Sequence, residues 1–347
     1  MSDLTLGLAI VGGVALAAVV AHGAWQARRA GPRRAAPKGD APPSPQMEPV
    51  LTGLPVAETS DPAELPRRGA PRRPSPRLDA LIDAIATIRL DAPLAGDTVA
   101  AHLPTTRRAG SKPFFVEGLN TETGEWEDIV PSAQYVELQA GVQLANRTGA
   151  LNEIEYSEFV QKVQAFAEGL GMMAELPDMI DVVGRARELD AFAGAHDAQL
   201  AVTLQARSAA WSVGYIQQQA AEQGFVAGML PGRIVLPSAE DGAPPVLVLG
   251  FDAQAALADD LSGASVRSAT LSFDVAQTDP AAEPFAAWQR SALALAEAMD
   301  AVVVDDQGRP LTAAGFASIG GELDRLYAVL AERDLAAGSA AARRLFS

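Results

Sequence analysis

Few side chains in this sequence have the type and spacing that chemistry demands. There are three histidines, His22, His102 and His196, and no cysteine. No two histidines have metal-ligand spacing, and without thiols there are no disulfides, no zinc–thiolate sites and no cysteine nucleophile. The nearest approach to an acid–base pair or a magnesium site is two acidic doublets, Asp259-Asp260 and Asp305-Asp306. Adjacent strand residues point to opposite faces, and no third ligand is near Asp305-Asp306, so this doublet reads as a charged strand end. Asp259-Asp260 reads as a solvated turn. No glycine-rich phosphate loop or nucleophile motif appears. The sequence therefore predicts no enzyme, no cofactor, no metal site and no small-molecule substrate.

Charge divides the chain. Residues 1–78 carry 10 basic and 6 acidic side chains, whereas residues 79–347 carry 17 basic and 37 acidic. A net charge of −20 on the larger part argues against nucleic acid. The length of 347 residues allows two or three domains.

From Leu4 to Trp25 the chain has no formal charge except a possible one on His22. At 1.5 Å per residue this run covers a hydrocarbon layer of about 30 Å and reads as one transmembrane helix. A cleaved signal is the alternative, but Arg28, Arg29, Arg33, Arg34 and Lys38 all follow the apolar run rather than precede it. The positive-inside bias then puts the short amino terminus outside and everything after Trp25 on the cytoplasmic side. Twelve of the 24 prolines lie between Gly31 and Arg77 without an aromatic residue, the composition of a disordered tether. Its arginines, Arg67, Arg68, Arg72, Arg73 and Arg77, form either a solvated charge run or a contact with anionic lipid.

Beyond Asp79 the pattern turns globular and partly repeats itself. Phe159, Val163, Phe166, Ala167 and Leu170 have the spacings of Trp288, Ala292, Leu295, Ala296 and Met299, displaced by 129 residues. Each run follows an alternating strand, Val136–Val142 or Ala269–Val275, and each half opens on another, Ile85–Leu90 or Leu200–Leu204. Short apolar strands are expected at Phe114–Val116 and Val246–Leu249. In the second half a helix over Ala209–Glu222 capped by Ser208 should come first. A hairpin of Arg233–Leu236 with Val246–Phe251 follows, then a strand over Arg267–Val275. A helix over Phe285–Met299, a strand over Ala301–Val304 and a last helix capped by Thr312 complete the half. The order β-α-β-β-β-α-β-α predicts an α+β fold with an antiparallel sheet and helices on one face.

Two segments stand out, Ala301-Val302-Val303-Val304-Asp305-Asp306-Gln307-Gly308-Arg309 followed by Leu311-Thr312, and Ile216-Gln217-Gln218-Gln219-Ala220 with Gly224-Phe225. The first is similar to GVVLDDQRR and MMT, and the second to SIQQAGF, of the ZipA family of membrane-anchored bacterial division proteins, which this part of the chain resembles. The resemblance covers Ala198–Asp334, with anchor and linker matching in type and order. It implies a six-stranded sheet, helices on one face and an exposed groove on the other that receives the carboxy-terminal tail of FtsZ. It also implies a place at the division septum and the Z ring. The expected organisation is 1–27 anchor, 28–78 linker, 79–195 diverged ZipA-like copy, 196–335 ZipA-like FtsZ-binding domain and 336–347 tail.

Strand parity then gives the expected partner-binding residues. Gln199, Ala201 and Thr203 face the open side, with Val246, Val248 and Gly250, and Thr270 and Ser272. Near Arg233 the register leaves two sets, Leu230 with Ile234 or Arg233 with Val235. Positions where the family carries large apolar groups fall on Gln199, Ala201 and Ser272, and Gly308 stands where it usually has an arginine. The aromatics Phe114, Phe115, Trp126 and Tyr135 are expected in the core of the first copy, with a relocated site as the alternative. The rival to an FtsZ adaptor is a membrane-anchored scaffold for another division or envelope protein.

Overall fold

The computed structural model describes residues 78–257 and 265–347, an α+β arrangement of antiparallel sheets and helices. The expected transmembrane helix, the linker with its arginines, and Asp259-Asp260 lie outside these residues. No helix among the described residues is long and apolar enough to cross a membrane.

In the amino-terminal half, β1 (Asp83–Ala95) buries Ala84, Ala86 and Ile88 in alternation and is followed by α1 (Gly96–His102). Then come β2 (Arg108–Ala109), β3 (Lys112–Asn120), β4 (Trp126–Asp128) and β5 (Gln134–Gln143). A tight hairpin of β6 (Ala145–Asn146) and β7 (Gly149–Ala150) leads to α2 (Glu153–Gly169), β8 (Ala174–Glu175) and α3 (Met179–His196). The sheet runs β2-β3-β5-β1-β8, with β4 beside β3. Its core gathers Ile88, Phe114, Leu138, Ala140 and Val142 under Phe159, Val163 and Phe166 of α2. Val136, expected to alternate inward, is 40% exposed, because the register of β5 with both β1 and β3 shifts between Tyr135 and Glu137 and Tyr135 is buried instead.

The carboxy-terminal half opens with β9 (Gln199–Ala206), β10 (Trp211–Ser212) and α4 (Val213–Ala221). This helix starts later than the sequence suggests. Ser208 bonds Asp300 rather than capping, Trp211 pairs with Val266, and Ser212 Oγ accepts from the Tyr215 amide at 3.2 Å as the true cap. Next are β11 (Val226–Ala227), β12 (Arg233–Leu236), β13 (Leu247–Gly250), α5 (Ala253–Ala256), β14 (Ser265–Val266) and β15 (Ser268–Asp274). The half continues with α6 (Pro284–Ala298), β16 (Ala301–Val304) and α7 (Ala313–Glu332), which Thr312 caps. The six-stranded sheet runs β11-β12-β13-β15-β9-β16.

The two halves follow a common path. Antiparallel order β3-β5-β1-β8 in one corresponds to β13-β15-β9-β16 in the other, and α1, α2 and α3 fall at the points of the chain that α4, α6 and α7 occupy in the second. One side of each sheet is covered by helices, and the two cores meet along α7, where Leu326 and Tyr327 pack against both.

Residues 336–347 are not a free tail. Ser339 caps a final helix, α8 (Ala340–Leu345), which seats Ala342, Leu345 and Phe346 at 0% exposure in the core of the amino-terminal half. Arg344 in the same helix forms a bidentate pair with Asp83, whose side chain is completely buried. Burial pushes the Asp83 carboxyl up from its ordinary value, and the Arg344 guanidinium opposes that shift.

Candidate functional site

On the second sheet the helices choose the face. Trp288 of α6 lies edge-on to Phe273 and Phe316, and its indole donates to the Leu271 carbonyl at 2.9 Å. That contact fixes Leu271, Leu249, Val202 and Leu204 as core. The residues between them face away, as the pleat requires.

Cross-strand pairing assembles the opposite face into two rows. One runs Val226–Val235–Val248–Ser272–Ala201, the other Arg233–Gly250–Thr270–Thr203–Val304. Expected residues Ala201, Thr203, Val248, Gly250, Thr270 and Ser272 are thus side by side, each exposed or half-buried. Gln199 is exposed at the margin opposite Asp274. Leu230 is 57% exposed in the turn before β12 rather than on a strand.

Two expected residues belong elsewhere. Ile234 is only 4% exposed, since it pairs with Leu249 and so inherits core parity; Arg233 and Val235 are the open-face members of β12. Val246 is 7% exposed and packs into the second core. It precedes β13, so strand alternation does not extend to it, and its amide is held by the Leu236 carbonyl. Val226 and Met229 were not among the expected residues. They lie on a two-residue strand and a turn, too short for any periodicity to register.

The face is uneven. At its β11–β13 end Met229, Leu230, Val235, Pro237 and Val248 line an open cleft of about 520 Å³, walled by the loop 237–245. A second depression of about 430 Å³ lies between Gly232, Gly250, Ser268 and Thr270. Arg233 stands between the two and is the cation in both linings. The turn that brings it there needs Gly232, whose φ of 73° is in the left-handed region and whose Cα abuts the Phe251 carbonyl. Toward β15 and β9 the surface flattens into small polar groups.

The corresponding face of the first sheet is filled. Gly141 leaves the room that the Leu78 side chain occupies, and the Leu78 amide donates to Glu117 Oε1 at 2.9 Å. Glu117 Oε2 accepts from Gln139 Nε2 at 2.9 Å, and the Arg344 guanidinium lies 4.8 Å above the Phe115 ring. Phe114 and Tyr135 are core residues, and Trp126 is half-buried.

The residues first considered for chemistry are engaged locally. His102 Nδ1 faces the Thr98 carbonyl and His196 Nδ1 the Phe192 carbonyl, each one turn back on its own helix, α1 and α3, and His196 ends α3. Asp305 accepts the amides of Arg309 and Gln307 and pairs with the Arg309 guanidinium, which together hold its carboxyl below the usual range. No cluster of three metal-ligating side chains occurs among the described residues. Comparisons with protein-family models and with curated proteins return no match.

Proposed function

We propose that this chain is a membrane-anchored adaptor of bacterial cell division, similar in plan to ZipA, which takes the carboxy-terminal tail of FtsZ on the open face of its second sheet. Anchored through Leu4–Trp25, it ties FtsZ filaments of the Z ring to the inner membrane at the septum. The shared path of the two halves fits a duplicated unit of which the first copy has diverged.

The observation that carries this reading is the contrast between the sheets. The second has a bare face with an apolar cleft over Val235 and Val248, whereas Leu78 and Arg344 occupy the first. A tail peptide thus has one ready surface, its anchor side chains entering the β11–β13 end. With Ala201 and Ser272 in place of large apolar groups, less surface is covered per peptide than in the family, and each lost hot-spot contact weakens binding by roughly 30-fold to 1000-fold. A long tether and many filament subunits compensate through avidity. The same polar stretch, Thr203, Thr270 and Ser272, favours the second reading, a scaffold with ZipA-like plan for another division or envelope protein.

The test is a titration of the full chain in detergent with a fluorescent FtsZ tail peptide. Saturable binding weaker than about 1 µM is expected, and none up to about 1 mM would leave only the scaffold.

A further inference from the structure

The cleft wall is held from the far end of the chain. The loop 237–245 between β12 and β13 contributes Pro237, Ser238, Glu240, Asp241, Ala243 and Pro245 to the cleft. Its internal bonds are local, from the Glu240 amide to Ser238 Oγ at 3.1 Å and from the Ala243 amide to the Glu240 carbonyl at 3.2 Å. Among the described residues, its side chains reach the rest of the molecule through one hydrogen-bonded partner, Arg343 of α8. The guanidinium binds both Glu240 oxygens, Nη2 to Oε2 at 2.7 Å and Nη1 to Oε1 at 3.1 Å. Its Nε donates to the Gln277 carbonyl at 3.2 Å, just beyond β15. Two parallel bonds from a planar fork fix direction as well as distance.

Arg343 can do this because its helix cannot turn. Ala342, Leu345 and Phe346 are sunk in the amino-terminal core, Gln143 donates to the Arg344 carbonyl at 2.8 Å, and Arg344 grips Asp83. Successive residues of one short helix thus look two ways, Arg344 into one half and Arg343 toward the cleft of the other. The Arg343 side chain is only 21% exposed, so its stem is ordered before Glu240 is met, which lowers the entropy lost on pairing.

Resting on the reading of this cleft as the peptide site, we propose that Arg343 is its positioning residue. By holding Glu240 it keeps the 237–245 loop upright beside Val235 and Val248, so the amino-terminal half acts as a buttress that sets how firmly the cleft closes on a tail. Arg343 touches no peptide; it acts through the loop.

The experiment compares the full chain with R343Q, E240Q and the double variant, reading amide hydrogen exchange in residues 237–245 and affinity for the labelled FtsZ tail. Glu240 is an exposed loop residue outside both cores, so E240Q preserves the fold even where R343Q costs stability. Each single variant is expected to speed loop exchange and weaken the tail by about threefold to fivefold, with the double no worse than either single. Unchanged loop exchange, unchanged affinity beside a binding parent, or additive losses in the double variant would each overturn the proposal. If the parent itself does not bind the tail, the peptide reading fails, and loop exchange alone then decides for or against the Arg343 brace.

Discussion

Val248 lies between Val235 and Ser272 on the bare face, where an added charge meets water instead of the core. V248D is therefore expected to weaken tail binding by more than about tenfold while moving the melting temperature by no more than about 4 °C. Anisotropy titration and a thermal melt measure the two quantities, and loss of the fold would mean that the face had been assigned the wrong way round. This face was legible in the sequence where alternation ran uninterrupted, as through Gln199–Leu204 and Thr270–Phe273. It failed at β12, where Ile234, Val235 and Leu236 are apolar in succession and only pairing with Leu247–Gly250 decides which of them turns inward. Arg233 carries no such ambiguity once its neighbour is placed.

The start of α2 concentrates several interactions in one element. Asn152 Oδ1 accepts the amides of Ile154 and Glu155 at 3.0 Å each, and Glu155 Oε2 accepts the Asn152 amide at 3.2 Å, a reciprocal cap. Glu155 Oε1 also takes the Ser111 amide at 2.8 Å and its hydroxyl at 2.6 Å, tying the helix to the turn before β3. Burial alone would push the Glu155 carboxyl up, but these bonds and the nearby Lys112 ammonium outweigh it and leave the pKa below its ordinary 4.5. Folded protein then binds this proton less readily than the unfolded chain. The stabilisation is complete above about pH 4.5 and is lost as pH falls through the lower folded value. E155Q is expected to cost about 1 kcal/mol at pH 7 in urea unfolding, with the gap to the parent closing as pH falls below the ordinary carboxyl value. Element ends of this kind were partly readable. Thr312, Trp288 and Ala301–Val304 mark their elements directly, whereas the start of α4 depends on Trp211, whose indole reaches the Met299 carbonyl 88 residues away.

Across the whole described molecule, the pair between Asp83 and Arg344 spans 261 residues and closes the amino-terminal half with the last helix. Nothing local marks it, because Ala340–Leu345 is too short to carry a periodic signal. Removing Arg344 leaves a carboxylate buried without its partner. R344A is expected to lose about 3 to 5 kcal/mol in urea unfolding, and D83A/R344A less than the sum of the two single changes. Equal stability of R344A and the parent would mean that α8 is not seated in that core.

The seating of α8 also orders events in time. Ile82 and Ala84 leave the ribosome early, yet the core they begin is completed by Leu345 and Phe346. At about 5 to 20 residues per second, roughly 13 to 50 seconds of translation separate its first and last pieces. During that interval the nascent amino-terminal half keeps apolar surface uncovered, and a product ended a dozen residues early keeps it uncovered for good. Removal of residues 336–347 is therefore expected to uncover that core and to speed proteolysis of the amino-terminal half.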